Sequence, residues 1–155
     1  MIKARISAFG MSMLLSMIAP FVAGGHLSAQ PAPITRSVSS ALQWAPCPAI
    51  FPKGCQIAVL NGDPAKPNAD VFLRVPGGYA IPAHSHTSAE RMILVEGKLT
   101  VRYKGAAAAV LTPGQYAYGP ASLPHEARCA RGKSCTLFIA FEGPVDASPY
   151  GGSLK

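Results

Sequence analysis

From residue 56 onward the chain is cut into short strand-like runs, and glycine or proline stands between nearly every pair of them. Gln56 to Leu60 ends at Asn61-Gly62-Asp63-Pro64, a strong turn signal. Val71 to Val75 ends at Pro76-Gly77-Gly78, Arg91 to Val95 at Glu96-Gly97, and Leu99 to Tyr103 at Gly105. Ala106 to Leu111 ends at Pro113-Gly114 and Tyr116 to Tyr118 at Gly119-Pro120, while His125 to Cys129 and Cys135 to Phe141 close the series. Many short strands with such turns predict an antiparallel sandwich or barrel. Ala106 to Ala109 is helical by composition, but Gly105 and Pro113 bracket it tightly, and we read it as strand.

One segment carries chemistry as well as structure. Gly78 to Glu90 holds His84, His86 and Glu90 within seven residues. Residues two apart on an extended strand share a face, so His84 and His86 point the same way. Glu90 keeps that parity, and a bend at Thr87-Ser88-Ala89 folds it back toward them. Imidazole and carboxylate are the ligand types that hold a first-row divalent metal. A further histidine, His125, lies between Gly114 and Cys129.

These two segments resemble the paired motifs of the cupin superfamily. The first motif of that family reads G-x5-H-x-H-x3-4-E-x6-G, and Gly78, His84, His86, Glu90 and Gly97 match it without departure. The second reads G-x5-P-x-G-x2-H-x3-N. Gly114, Pro120 and His125 match it, with Ser122 where glycine is usual and Cys129 where asparagine is usual. The resemblance spans about Val71 to Gly143. It implies an all-β fold, an antiparallel jelly-roll β-barrel over residues 56–146, with His84, His86, Glu90 and His125 as ligands of one divalent metal ion. Iron, manganese, nickel, copper and zinc all suit that set. It also implies that two copies can pair as a homodimer.

The first 29 residues read as a signal peptide. Lys3 and Arg5 precede an apolar run from Met11 to Ala23, and Leu27-Ser28-Ala29 ends in a small residue. The run is short for a membrane span. The expectation is a periplasmic or secreted protein, with no membrane association once the leader is cleaved. Residues 30–55 are read as an extended, proline-rich arm, and 147–155 as a loose tail. Losing the leader removes His26, so every remaining histidine sits at a motif position. Losing Lys3 and Arg5 lowers the formal charge of +7 by two. The remaining basic residues are scattered, which argues against a nucleic-acid partner.

The four cysteines form two local pairs. In an oxidising compartment an even count favours disulfides. We expect Cys47 with Cys55, and Cys129 with Cys135 across a loop tipped by Gly132. Neither spacing is that of a zinc-thiolate site.

For the pocket, parity with Glu90 points Met92 and Leu94 to the ligand side. Tyr116 and Tyr118 share a face and are taken as further pocket residues. Arg74 and Arg91 are candidates for binding a substrate carboxylate. The function expected is a metal-dependent enzyme, an oxygenase, isomerase or lyase, with the oxygenase favoured, acting on a small polar or aromatic molecule. The alternatives are a module that binds or senses a metal or small ligand without turnover, and a metal-sequestering exported protein.

Overall fold

The structure, a computed structural model, describes residues 36, 37 and 39–155. The predicted leader and the start of the arm lie outside the described residues.

Each glycine- and proline-bounded run contains a strand. In chain order the strands are β1 (Ala45–Pro46), β2 (Gln56–Asn61), β3 (Asp70–Val75), β4 (Ala80–Ser85), β5 (Glu90–Glu96), β6 (Leu99–Tyr103), β7 (Ala109–Leu111), β8 (Tyr116–Gly119), β9 (His125–Cys129), β10 (Cys135–Phe141) and β11 (Ser148–Pro149). They form two sheets, one in the order β1-β2-β3-β10-β5-β8 and the other β11-β4-β9-β6-β7. Every pairing is antiparallel.

The two-residue side-chain period of a strand explains which face is buried. On β5, Glu90, Met92 and Leu94 are buried while Arg91, Ile93 and Val95 are exposed. On β9, His125, Ala127 and Cys129 are buried while Glu126 and Arg128 are exposed. The core joins Val71, Leu94 and Ile139 of the first sheet to Ile81, Leu99 and Val101 of the second. The parity of β4 breaks midway. Ile81 and His84 are both buried although three apart, and the β4–β9 register shifts between them. An extra residue at such a bulge re-aims the side chains beyond it. Pro82, which has no N–H to offer a ladder, sits in that interval.

Both expected disulfides are formed, Cys47–Cys55 and Cys129–Cys135. At typical values each contributes about 2–3 kcal/mol. The second explains one departure from the cupin pattern, since Cys129 is used in the bridge. Gly97, the last glycine of the first motif, has φ +91, and a Cβ there would stand 2.8 Å from Cys135 Sγ.

Three local expectations change. Only the end of the alanine-rich run is strand, β7 beginning at Ala109. The tail is not loose: Ser148 and Pro149 pair with Ser85 and His84, and Leu154 is buried. The arm contains β1, paired with β2, and the Arg74 guanidinium lies 4.0 Å from the centre of the Trp44 ring. Among the described residues no helix is long and apolar enough to cross a membrane.

Candidate metal centre

Three strands of two sheets bring the polar residues together. His84 lies one residue before the end of β4 and pairs directly with His125, the first residue of β9. His86 follows two residues after His84, and Glu90 opens β5 in the opposite sheet. All four are buried. The ring centroids of His84 lie 4.3 Å from His125 and 4.9 Å from His86. One ring nitrogen from each imidazole lies within 4.8 Å of the others. The Nε2 atoms of His125 and His86 stand 3.2 and 3.5 Å from the Glu90 carboxylate oxygens.

Backbone carbonyls fix the tautomer of every ring. His84 Nδ1 donates to Pro82 O at 2.7 Å, His125 Nδ1 to Leu123 O at 3.2 Å, and His86 Nδ1 to Asp146 O. Two of these acceptors lie two residues upstream of their histidine, and the bulge in β4 supplies one of them. A carbonyl only accepts, so each Nδ1 carries the proton and each neutral ring turns an Nε2 lone pair inward. Those lone pairs then face carboxylate lone pairs, and Glu90 Oε1 is buried with no hydrogen-bond partner. Such an arrangement calls for a cation. Two donor atoms held about 2.0–2.2 Å from a shared ion stand about 3.0–3.5 Å apart, the separation of Glu90 from the Nε2 atoms of His125 and His86. Histidines whose outer nitrogen is held by a carbonyl are the usual surroundings of a metal. The residues therefore fit a divalent transition metal.

Without an ion, the site divides its own charge. Burial, reinforced by the positive charge His125 can carry, lowers the pKa of His84 to about 4. Burial alone would lower His125 too, but the adjacent Glu90 carboxylate outweighs it and the net direction is up. Burial would raise Glu90, yet the surrounding imidazoles hold its pKa below the usual value.

An apolar cavity of about 70 Å³ adjoins the cluster. Met92 lines it, as parity implies. Tyr116 and Tyr118 do not: they are 56% and 49% exposed on the outer face of β8. The inward positions of that strand belong to Ala117 and Gly119, which lie opposite Met92 and Glu90. Gly119 is needed there, because a Cβ would fall 2.7 Å from Glu90 Cγ. The two arginines are elsewhere as well. Arg74 donates to Gln56 at 2.8 Å, and Arg91 pairs with Glu142 at the surface.

Sequence reasoning missed Phe51, Val145 and Asp146, which also line the cavity. They come from the arm and from the segment after β10, and no local pattern links them to the motif. It also missed Tyr103, whose buried hydroxyl has no partner and whose ring lies 5.2 Å from that of His125.

Comparison with known proteins agrees with this fold. Residues 36–146 match the family of ChrR cupin-like domains. No curated protein matches the chain. Among solved structures, the DMSP lyase DddQ from Ruegeria pomeroyi DSS-3 aligns with a TM-score of 0.61 at 19% identity, covering 72% of this chain and 64% of that one. An RmlC-like cupin from Shewanella frigidimarina NCIMB 400 aligns with a TM-score of 0.57 at 21% identity, covering 70% and 89%. A cupin-2 domain from Rhodospirillum rubrum aligns with a TM-score of 0.61 at 13% identity, covering 75% and 80%. At these identities the likeness is one of fold. The chain spans 62% and 64% of the length of two DMSP lyases it matches.

Proposed function

Because the chain belongs to the family of ChrR cupin-like domains, we propose that it is a metal-dependent enzyme of the cupin type, oxygenase-like, acting on a small molecule. His84, His86, His125 and Glu90 would hold one divalent transition metal. The observation that carries this reading is the buried cluster itself: three imidazoles, each held at Nδ1 by a backbone carbonyl, gather their Nε2 side around the buried Glu90 carboxylate. When bound, the metal supplies a Lewis acid with coordination positions left over for a small ligand. The chain's own residues do the rest. The carbonyls of Pro82, Leu123 and Asp146 orient the rings, Glu90 offsets part of the metal's charge, and the apolar wall around Met92 limits water.

The wider setting follows from the same reading. The two sheets close as a cupin jelly-roll barrel around the centre, and barrels pair as homodimers. Residues 1–29 direct export to the periplasm or beyond, where the two disulfides persist. A second reading, a metal or small-ligand binding or sensing module without turnover, is favoured by the small size of the cavity.

Elemental analysis of the untagged mature protein tests the assignment, together with His84→Ala and Glu90→Ala. About one equivalent of a transition metal is expected in the wild type and much less in either variant. A metal-free wild type, or unchanged loading in both variants, overturns it. Oxygen uptake with small phenols, thiols and diketones then separates an oxygenase from a binding module.

A further inference from the structure

The cavity beside the imidazoles has an unusual lining for a site that handles polar substrates. Apart from the ligand set and Asp146 its lining is apolar, with Leu99, Val101, Leu137, Ile139 and Phe141 among the wall residues. Among the described residues, no lysine or arginine reaches it. Asp146 is the one charged lining residue outside the ligand set, and its carboxylate already accepts from Thr87 N at 3.0 Å and Thr87 Oγ1 at 2.5 Å. A metal with Glu90 neutralises one anionic donor atom at the ion itself. A second charge, further out in the cavity, would be buried without a partner, which is strongly unfavourable.

Size is restricted as firmly as charge. The cavity's volume of about 70 Å³ is less than half of the roughly 150 Å³ that admits benzene. Phe51 stands at this limit. Its ring meets that of His84 edge-on, with centroids 5.1 Å apart. The loop that carries it is fixed at several points. Cys47 and Cys55 are bridged, Cys47 N donates to Cys55 O at 3.2 Å, and Phe51 N donates to Pro48 O at 3.0 Å. The Tyr79 hydroxyl donates to Pro52 O at 2.5 Å, tying the loop to the main body. A ring held this way does not readily move aside for a bulky ligand.

We propose that this cavity takes a compact ligand with one metal-binding atom and an uncharged, hydrophobic body, and that Phe51 sets the upper limit on its size. The proposal rests on the reading that the metal centre is the working site, and it narrows the substrate to that class.

Two measurements test it, and they fail separately from the metal assignment. In the first, methyl-labelled, metal-free protein is titrated by NMR with xenon and with benzene. Xenon is expected to shift the methyl signals of Ile81, Leu99 and Ile139 in the wild type, and benzene to leave them in place. Phe51→Ala, with Phe51→Leu as a milder variant if alanine does not fold, is expected to admit benzene. Xenon without effect, or benzene entering the wild type as readily as the variants, overturns the proposal. In the second, cobalt-loaded protein is titrated with 1-propanethiol and with 2-aminoethanethiol, its ammonium charged, which share a thiol and a similar slender shape and are no larger than benzene. The absorption of the cobalt–thiolate pair reports binding. The neutral thiol is expected to bind at least about tenfold more tightly, and equal or reversed affinities overturn the proposal. Failure to take up cobalt, with the xenon and benzene results as expected, sinks the metal assignment and leaves the cavity assignment standing.

Discussion

His86 donates its Nδ1 proton to the backbone carbonyl of Asp146, a residue sixty positions further along the chain. The segment after β10 is thereby part of the metal centre without contributing a ligand. The Asp146 side chain holds this arrangement by accepting from Thr87 N and Thr87 Oγ1, one residue beyond His86. Carbonyl and carboxylate of a single residue thus clamp the ring and the chain next to it.

Removing the clamp should weaken metal binding with little effect on the rest of the fold. Asp146→Ala leaves the carbonyl in the chain but frees its segment, and Thr87→Val removes one of the two bonds to the carboxylate. Partners of this kind typically change metal affinity by about 10–100-fold. We expect a loss in that range for Asp146→Ala and a smaller one for Thr87→Val, measured by competition with a chelating dye. Affinities equal to the wild type in both would show that the clamp does not orient His86.

Gly119 makes a sharper prediction, because its space is filled by the carboxylate it faces. A Cβ at that position would lie 2.8 Å from Glu90 Oε1 and 2.7 Å from Glu90 Cγ. Gly119→Ala should displace Glu90 and cost about 1–3 kcal/mol of stability, as overpacking of a filled interior does. Metal loading should fall with it. Denaturant unfolding and elemental analysis check the two effects, and a variant with normal stability and normal metal content contradicts the packing argument.

The metal-free protein should carry a pH signature of its buried imidazole. His84 has a folded pKa of about 4 against 6.5 when solvated. The unfolded chain therefore takes up a proton between these values while the folded chain does not, and stability falls as pH drops through that window. The loss attributable to His84 is about 3 kcal/mol at most. His125 acts above the window, and Glu90 at its lower edge and below. His125, raised by Glu90, contributes stability that is full below 6.5 and is lost as pH rises through its elevated pKa. Glu90, lowered by the imidazoles, contributes stability that is full above 4.5 and is lost as pH falls through its depressed pKa. Melting temperatures after chelation, for the wild type and for His84→Asn, isolate the effect. The wild type should lose more stability than the variant between pH 6.5 and 4. Parallel curves would mean that His84 is not held neutral by burial.

How much of this was legible in the sequence follows from the range of each interaction. The ligand types and their parity are local properties, so His84, His86 and Glu90 could be placed on one face before any fold was known. The two disulfides were legible because each closes a short loop. Met92 was legible because parity with Glu90 fixes it. Tyr116 and Tyr118 were misplaced because their shared face was clear but not which face it was. The close approach of Gly119 to Glu90 decides that, and it is a contact between strands. Phe51 and Asp146 were not legible, since they reach the centre through the disulfide-tied loop and through the chain after β10. The bulge in β4 was also hidden: alternation read outward from His84 would have turned Ile81 to solvent.

Ser122 offers a final test, on a departure from the cupin pattern that the structure makes intelligible. The residue stands where the family usually has glycine, and its φ is +61, in the left-handed region. Its N–H donates to His86 O at 2.8 Å, so the strained turn is held against the chain that carries a ligand. A left-handed conformation costs a residue with a Cβ about 1–2 kcal/mol. Glycine escapes that cost but loses more backbone freedom on folding, by about 0.5–1 kcal/mol. Ser122→Gly should therefore stabilise the protein by no more than about 1.5 kcal/mol and leave metal affinity unchanged, because the backbone bond to His86 survives. Ser122→Val should destabilise it clearly, since a β-branched side chain tolerates this conformation poorly. Chemical denaturation of the three proteins distinguishes these outcomes. Valine tolerated as well as serine would mean that the turn relaxes and does not hold the chain at His86.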